Sequence, residues 1–268
     1  MKKIIAILMI LVMVSSVLMI PAFAKTQYEE SSVYVSITDH ENKLAYAKVK
    51  VFDYGEDGEF SVNEALYYAH VWYYEGGASA GYKTKRTEYG RTLTKLWGNE
   101  NGTGFGYYVN DEPATSMEMS LKEGDHVHAF VYTDTENFSD TYSYFDKTYF
   151  QVKKDESVTL TLKAVTYDEN WNPISVPVRD AYVTLNGEKT DFRTDEEGKV
   201  TVTFEKGGKT LVGAVSDSMT LVQPSCLVRV EGGFTLFGLL ILLLALLVAF
   251  ACFGAWFIIA GKKKKLKK

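Results

Sequence analysis

Ser61-Val62-Asn63-Glu64-Ala65-Leu66-Tyr67-Tyr68-Ala69-His70-Val71-Trp72-Tyr73 decides the fold of the first half of this chain, because it is the helical stretch in a region that otherwise reads as strands. A serine followed three residues later by a glutamate forms a capping box: the hydroxyl accepts the glutamate N–H, and the carboxylate reaches back to the serine N–H. Val62, Ala65, Leu66, Ala69, Trp72 and Tyr73 recur at helical spacing, His70 falls on the polar side, and Gly76-Gly77 closes the helix. On either side the period drops to two. Val33, Val35 and Ile37, then Val49 and Val51, alternate with polar residues as half-buried strands do. Thr92–Trp97, Phe105–Asn110 and His126–Tyr132 extend the pattern, with turns at Asn101-Gly102 and Lys122-Glu123-Gly124-Asp125. One amphipathic helix on such strands predicts a small α+β module over residues 25–146.

Residues 151–230 read differently. Ser157–Val165, Ala181–Leu185, Lys199–Phe204 and Thr210–Val215 all alternate, Asn186-Gly187 is a two-residue hairpin signal, and Asp195-Glu196-Glu197-Gly198 is a second turn. Short strands at this spacing predict a β-sandwich, which we read as a stalk.

The two ends carry the topology. Lys2 and Lys3 precede the apolar stretch Ile4–Ile20 and then Pro21-Ala22-Phe23-Ala24, the pattern of a signal peptide over residues 1–24 cleaved after Ala24; an uncleaved membrane helix is the other reading. Phe234–Ala260 is apolar and uncharged, longer as a helix than the roughly 30 Å hydrocarbon core of a bilayer. Residues 261–268 carry six lysines, which stay on the cytoplasmic side and place everything before Phe234 outside. The expectation is a single-pass cell-membrane protein of bacterial type with its N-terminal part extracellular.

All 34 acidic residues lie between the apolar ends, with 21 of the 29 basic ones, so the expected ectodomain carries a charge of −13. That argues against nucleic acid and anionic lipid as partners. Only Cys226 and Cys252 are present, so no disulfide holds either module and each must rest on its core.

Ser61–Leu66, Leu96-Trp97-Gly98, Phe105-Gly106-Tyr107-Tyr108-Val109-Asn110-Asp111-Glu112-Pro113 and Gly124-Asp125 follow one another in an order that resembles a bacterial domain family. That family is related to the cobalamin-binding C-terminal domain of transcobalamin and intrinsic factor. Phe105 stands where the family has tryptophan, Asp111 where it has glycine, and Tyr74–Tyr89 is an expanded loop. The second module is similar to immunoglobulin-like or carboxypeptidase-regulatory-like domains, through its Thr-Asp-x-x-Gly-Lys-Val-Thr-Val stretch (194–202). The fold class expected is therefore mainly β: a transcobalamin C-terminal-like module, an immunoglobulin-like sandwich, a signal peptide and a C-terminal transmembrane helix. The resemblance implies a small-ligand site for which a corrinoid such as cobalamin is one option among others; no cofactor is expected.

Aromatic residues crowd the first module. An exposed ring beside a Gly-rich loop stacks on a corrin or a sugar face. Trp97, Phe105, Tyr107 and, from the loop, Tyr82 are the candidate ligand-binding residues. Alternation puts Tyr107 and Tyr108 on opposite faces, so at most one of them is expected in the core. His126 and His128 share a face, as a zinc or copper chelate requires, but with no third ligand nearby they read as solvated. The acidic loop Asp53–Glu59 has the oxygen donors of a calcium site without the spacing of an EF-hand, and reads as a solvated turn. No nucleophile elbow, His-Glu-x-x-His or phosphate-binding glycine loop is present, and an enzyme is not expected. The sequence thus supports a cell-surface binding protein that captures a small molecule, or one that adheres to glycan or protein through an aromatic face.

Overall fold

The structure is a computed structural model that describes residues 29–100, 102, 104–231, 240 and 243–248. The expected signal peptide, the lysine tail and most of the apolar run 234–260 lie outside the described residues. Residues 240 and 243–248 are helical, and among the described residues no helix is long and apolar enough to cross a membrane.

The first module contains β1 (Glu30–Asp39), β2 (Glu41–Phe52), β3 (Phe60–Ser61), α1 (Val62–Tyr73), α2 (Gly77–Gly81), β4 (Lys83–Thr87), β5 (Gly90–Lys95), β6 (Phe105–Val109), β7 (Glu112–Pro113), β8 (Ser120–Leu121) and β9 (His126–Val131). Its main sheet runs β2-β1-β9-β6-β7, with β1 and β9 parallel and the other pairs antiparallel. The alternating valines explain this sheet. Val33, Val35, Ile37, Val49 and Val51 are fully buried on one face, where Val62, Ala65, Leu66 and Ala69 of α1 cover them. Burying Val62 and Leu66 stabilises the module by roughly 1.5–3 kcal/mol each. The capping box forms as expected: Glu64 N–H donates to Ser61 Oγ at 3.2 Å, and Ser61 N–H donates to Glu64 Oε2 at 2.9 Å.

The second module contains β10 (Thr141–Phe145), β11 (Tyr149–Lys153), β12 (Ser157–Tyr167), β13 (Pro173–Pro177), β14 (Tyr182–Leu185), β15 (Glu188–Arg193), β16 (Lys199–Thr203), β17 (Gly208–Val215), β18 (Leu221–Val222) and β19 (Cys226–Glu231). One sheet runs β13-β12-β10-β18 with β16 also on β12; the other runs β11-β19-β17-β14-β15. Leu160, Leu162, Val200 and Val202 of the first meet Val183, Val212, Val228 and Val230 of the second in one buried cluster, so the module is a β-sandwich. Asn186 and Gly187 both have positive φ, 53° and 86°, the geometry their hairpin turn requires. Thr141–Phe145 falls within the first module on the sequence pattern, yet β10 pairs with β12 and β18 of the sandwich.

The alternation suggested one solvated face on the first sheet. The structure covers it with the second module. Tyr108, Phe130, Tyr142, Val165 and Val222 form a buried cluster across the junction, with the Tyr108 and Tyr142 rings stacked 3.7 Å apart and 7° from parallel. The Phe130 ring lies flat on Gly106, where any Cβ would collide with it. The Tyr142 hydroxyl donates to Asp111 Oδ1 at 2.9 Å. Tyr108 is buried in the junction, while Tyr107, on the opposite face of β6, is half-buried on the helix side, so only one of the two is core, as the alternation predicts. One expectation is corrected here. His126 and His128 are not solvated: they meet Ser36 Oγ at 2.8 Å and Thr38 Oγ1 at 2.9 Å, and His128 is fully enclosed.

Burial lowers His126 to about 4 and His128 to about 3, and His70, buried in α1, to about 4. A histidine neutral in the fold and charged in the unfolded chain makes the unfolded state the better proton binder below about pH 6.5, so stability is lost as pH falls from there. Asp111, raised by burial to about 6, works the other way and offsets one of the three. Unfolding near pH 5 should take up about two protons, and the thermal midpoint should fall between pH 6.5 and 4.5. A midpoint flat across that window would mean that these rings are hydrated. Independently, Gly106→Ala should cost about 1–3 kcal/mol in denaturant unfolding by forcing Phe130 off the strand.

Candidate functional site

The four aromatic candidates do not make an open platform. Tyr82, at the end of α2, is 9% exposed, and its hydroxyl donates to Asn63 Oδ1 at 3.0 Å. Phe105, also 9% exposed, starts β6 with its ring in the same core, and Tyr107 is half-buried against it. Trp97, half-buried, has a φ of 50° and donates its backbone N–H to His70 Nε2 at 2.9 Å. That bond requires an unprotonated Nε2, so the proton sits on Nδ1 and is donated to the Leu66 carbonyl at 2.6 Å. His70, expected on the polar side of α1, is therefore a buried pin. Trp97 and Tyr82 meet around its imidazole, at 5.2 and 5.1 Å between ring centroids. The Tyr74 ring occupies the space that Cβ atoms would fill at Gly81 and Gly98, which closes the expanded loop onto the helix end.

The acidic loop also serves itself. Asp53 accepts the N–H groups of Gly58 at 2.8 Å and Asp57 at 3.4 Å, and Glu64 accepts that of Gly55. Among the described residues no cluster of three or more His, Cys, Asp or Glu is placed to hold a metal. Cavities of 450 and 290 Å³ flank His40 at the β1–β2 turn, lined by small polar side chains such as Asn42, Ser216 and Gln223 and by no phenyl or indole ring.

Exposed rings occur elsewhere, among them Tyr89, Tyr149 and Phe192 standing singly, and two groups of them are built into their surroundings. Trp72 and Tyr73 stand on the outer face of α1, but the indole N–H donates to the Lys50 carbonyl at 3.0 Å and the phenol to the Lys48 carbonyl at 2.8 Å. β2 is the outer strand of its sheet, so these two side chains satisfy main-chain acceptors on a free edge.

The second group has no such task. Trp171, at the tip of the β12–β13 hairpin, is 82% exposed with a φ of 63°. Its turn is wound around Asp168, whose carboxylate accepts the N–H groups of Asn170 and Asn172, both at 2.8 Å, and the Asn172 amide at 3.0 Å. Ile174 and Tyr167 are exposed beside it, the Tyr167 ring 6.3 Å from the indole. The loop joining β9 to β10 is built alike. Asp134 accepts the N–H groups of Glu136 at 3.0 Å and Asn137 at 2.9 Å and the Ser139 hydroxyl at 2.7 Å, and Phe138 is turned outward with a φ of 52°. Phe138 rests on Tyr132 at 5.2 Å, and Tyr132 lies near Tyr167, which also stands close to Tyr108 of the junction. A bulky residue in the left-handed region is costly and persists only where its surroundings fix it. Each loop thus uses a buttressed carboxylate to hold one ring in water.

The aromatic density of the first module drew attention to residues that fill its core. Trp171 has a fainter signal, a lone tryptophan among Asp, Asn and Pro where nothing is available to bury it.

No protein-family model matches the chain, and no curated protein matches it. Among solved structures it is similar to the N-terminal four Ig domains of Dscam1 isoform 7.44 (11% identity, TM-score 0.23, 56% of this chain and 36% of that one). Isoform 4.44 aligns likewise (10%, TM-score 0.23, 57% and 41%), as does the D0-D1 domain of Intimin (17%, TM-score 0.25, 56% and 80%). The chain spans less than half the length of the two Dscam1 structures. The sandwich here rests on its own two sheets.

Replacing Trp72 by Phe should remove the donor on Lys50 while keeping most of the ring. The expected cost is about 1 kcal/mol in urea unfolding, and no change there would mean that the edge carbonyl is served by water.

Proposed function

We propose that this chain is a surface-displayed interaction protein: exported, held at the membrane by the apolar run 234–260 with its lysine tail inside, and adhering to a partner surface through the ring strip centred on Trp171. The observation that carries this reading is where the exposed indole stands. The Lys154 N–H donates to the Glu231 carbonyl, so the start of β12 lies beside the end of β19, where the chain leaves toward residue 234. β12 then runs eleven residues. At about 3.3 Å per residue, its far end stands roughly 35 Å from that exit. The tip bearing Trp171 is therefore presented away from the anchor, and the stacked junction joins both modules into one arm behind it.

Corrinoid capture by the first module is the other reading, and it follows from the resemblance alone. It needs the ring cluster around His70 and β6 to open, whereas adhesion through Trp171 needs no rearrangement. Adhesion is therefore preferred.

Cells displaying the full chain should attach to immobilised glycans or to neighbouring cells, and Trp171→Ala should reduce attachment about tenfold, as expected for an exposed aromatic anchor. The thermal midpoint should not change. Attachment by the variant equal to the parent would remove the strip from consideration. Saturable binding of hydroxocobalamin, unaffected by that substitution, would favour capture. Lysines 25–209 should react with an impermeant reagent on intact cells; silence there would remove export.

A further inference from the structure

We infer that the partner met by this strip is cationic: a lysine- or arginine-bearing segment of another protein lies along the rings from Phe138 through Tyr132 and Tyr167 to Trp171. The inference rests on the adhesion reading and adds the chemistry of what adheres. Its first support is the distribution of charge in the two loops. No lysine or arginine occurs between Lys122 and Lys147, or between Lys163 and Arg179, while Asp134, Glu136, Asp168 and Glu169 all fall within those intervals. The exposed rings are thus bordered by carboxylates of one sign, with no basic side chain supplied by either loop.

The carboxylates stay ionised for a structural reason. Asp134 is held down to about 2 by the N–H groups of its own loop and the Ser139 hydroxyl, and Asp168 is lowered by Asn172 and Asn170. Both therefore present fixed negative charge across the physiological range, whatever else titrates. Glu136 and Glu169 are exposed on the outer side of the same turns.

The second support is the ring geometry. A cation gains from the face of an indole or phenol, and a guanidinium gains most because it also lies flat on the ring. Trp171 offers its face at 82% exposure and Phe138 at 46%, with half-exposed Tyr167 between them. The ring strip alone would also suit a sugar, whose hydroxyls can donate to carboxylates, but only a cation gains from the uncompensated negative charge of the four. Charge complementarity favours the basic segment.

The test uses the full chain in nanodiscs of zwitterionic lipid and two labelled peptides of equal length, one alternating lysine with glycine and one alternating glutamate with glycine, read by fluorescence anisotropy at low and high ionic strength. The lysine peptide should bind, weaken with salt, and lose about tenfold in affinity with Trp171→Ala. The paired variant Glu136→Gln with Glu169→Gln should lose several-fold and show a flatter salt dependence, while keeping the parent thermal midpoint. Equal binding of the glutamate peptide, indifference to Trp171→Ala, or displacement of the lysine peptide by a neutral oligosaccharide at any salt concentration would each overturn the inference. If Trp171→Ala abolishes cell attachment but the lysine peptide does not bind, the adhesion reading stands and the charge assignment fails. If neither responds to Trp171→Ala, both fail.

Discussion

The stacking of Tyr108 on Tyr142, with Phe130 lying on Gly106 beside them, is the contact from which the arrangement of this molecule follows. A small sheet with a helix on one face leaves its second face to be covered. Here that face carries Ser36, Thr38, His126, His128, Phe130 and Tyr108, a mixture that could neither form a good core alone nor sit comfortably in water. The sandwich supplies Tyr142, Val165 and Val222, and the polar groups pair among themselves before the surface closes. Two modules that could have been beads on a string are thereby fixed as one body.

That fixation has a chemical consequence. Three histidines are held neutral by burial, His70 in α1, His128 at the junction and His126 beside it, and each would charge on release. The junction is then where acid acts most directly, with Asp111 opposing the change. By contrast Cys226, buried in the sandwich core with its thiol pushed up to about 12, carries no reactivity to the surface.

Exposed rings on this surface divide by whether they complete the fold. Trp72 and Tyr73 end on carbonyls of an outer strand, which spares the sheet from pairing with another chain. Trp171 and Phe138 complete nothing. They are held out by loops wound on Asp168 and Asp134, and they belong to a strip that reaches the junction where Tyr167 stands close to Tyr108. A ring kept in water at the expense of backbone conformation is the kind of departure from folding economy that binding explains.

The helix with its capping box, the alternating strands of both modules, the Asn186-Gly187 turn and the acidic balance of the middle of the chain were determined by local sequence. Each depends on spacing along the chain or on composition, and needs no distant partner. Tertiary structure decided the rest. Whether Tyr108 and His128 face water depends on a sandwich that begins only at Thr141, and no period within a strand records what will be laid across it. The same holds for Tyr82 and Phe105, which look like stacking residues until the helix and expanded loop close over them. It holds in reverse for Trp171, whose exposure is set by a turn that points away from both cores.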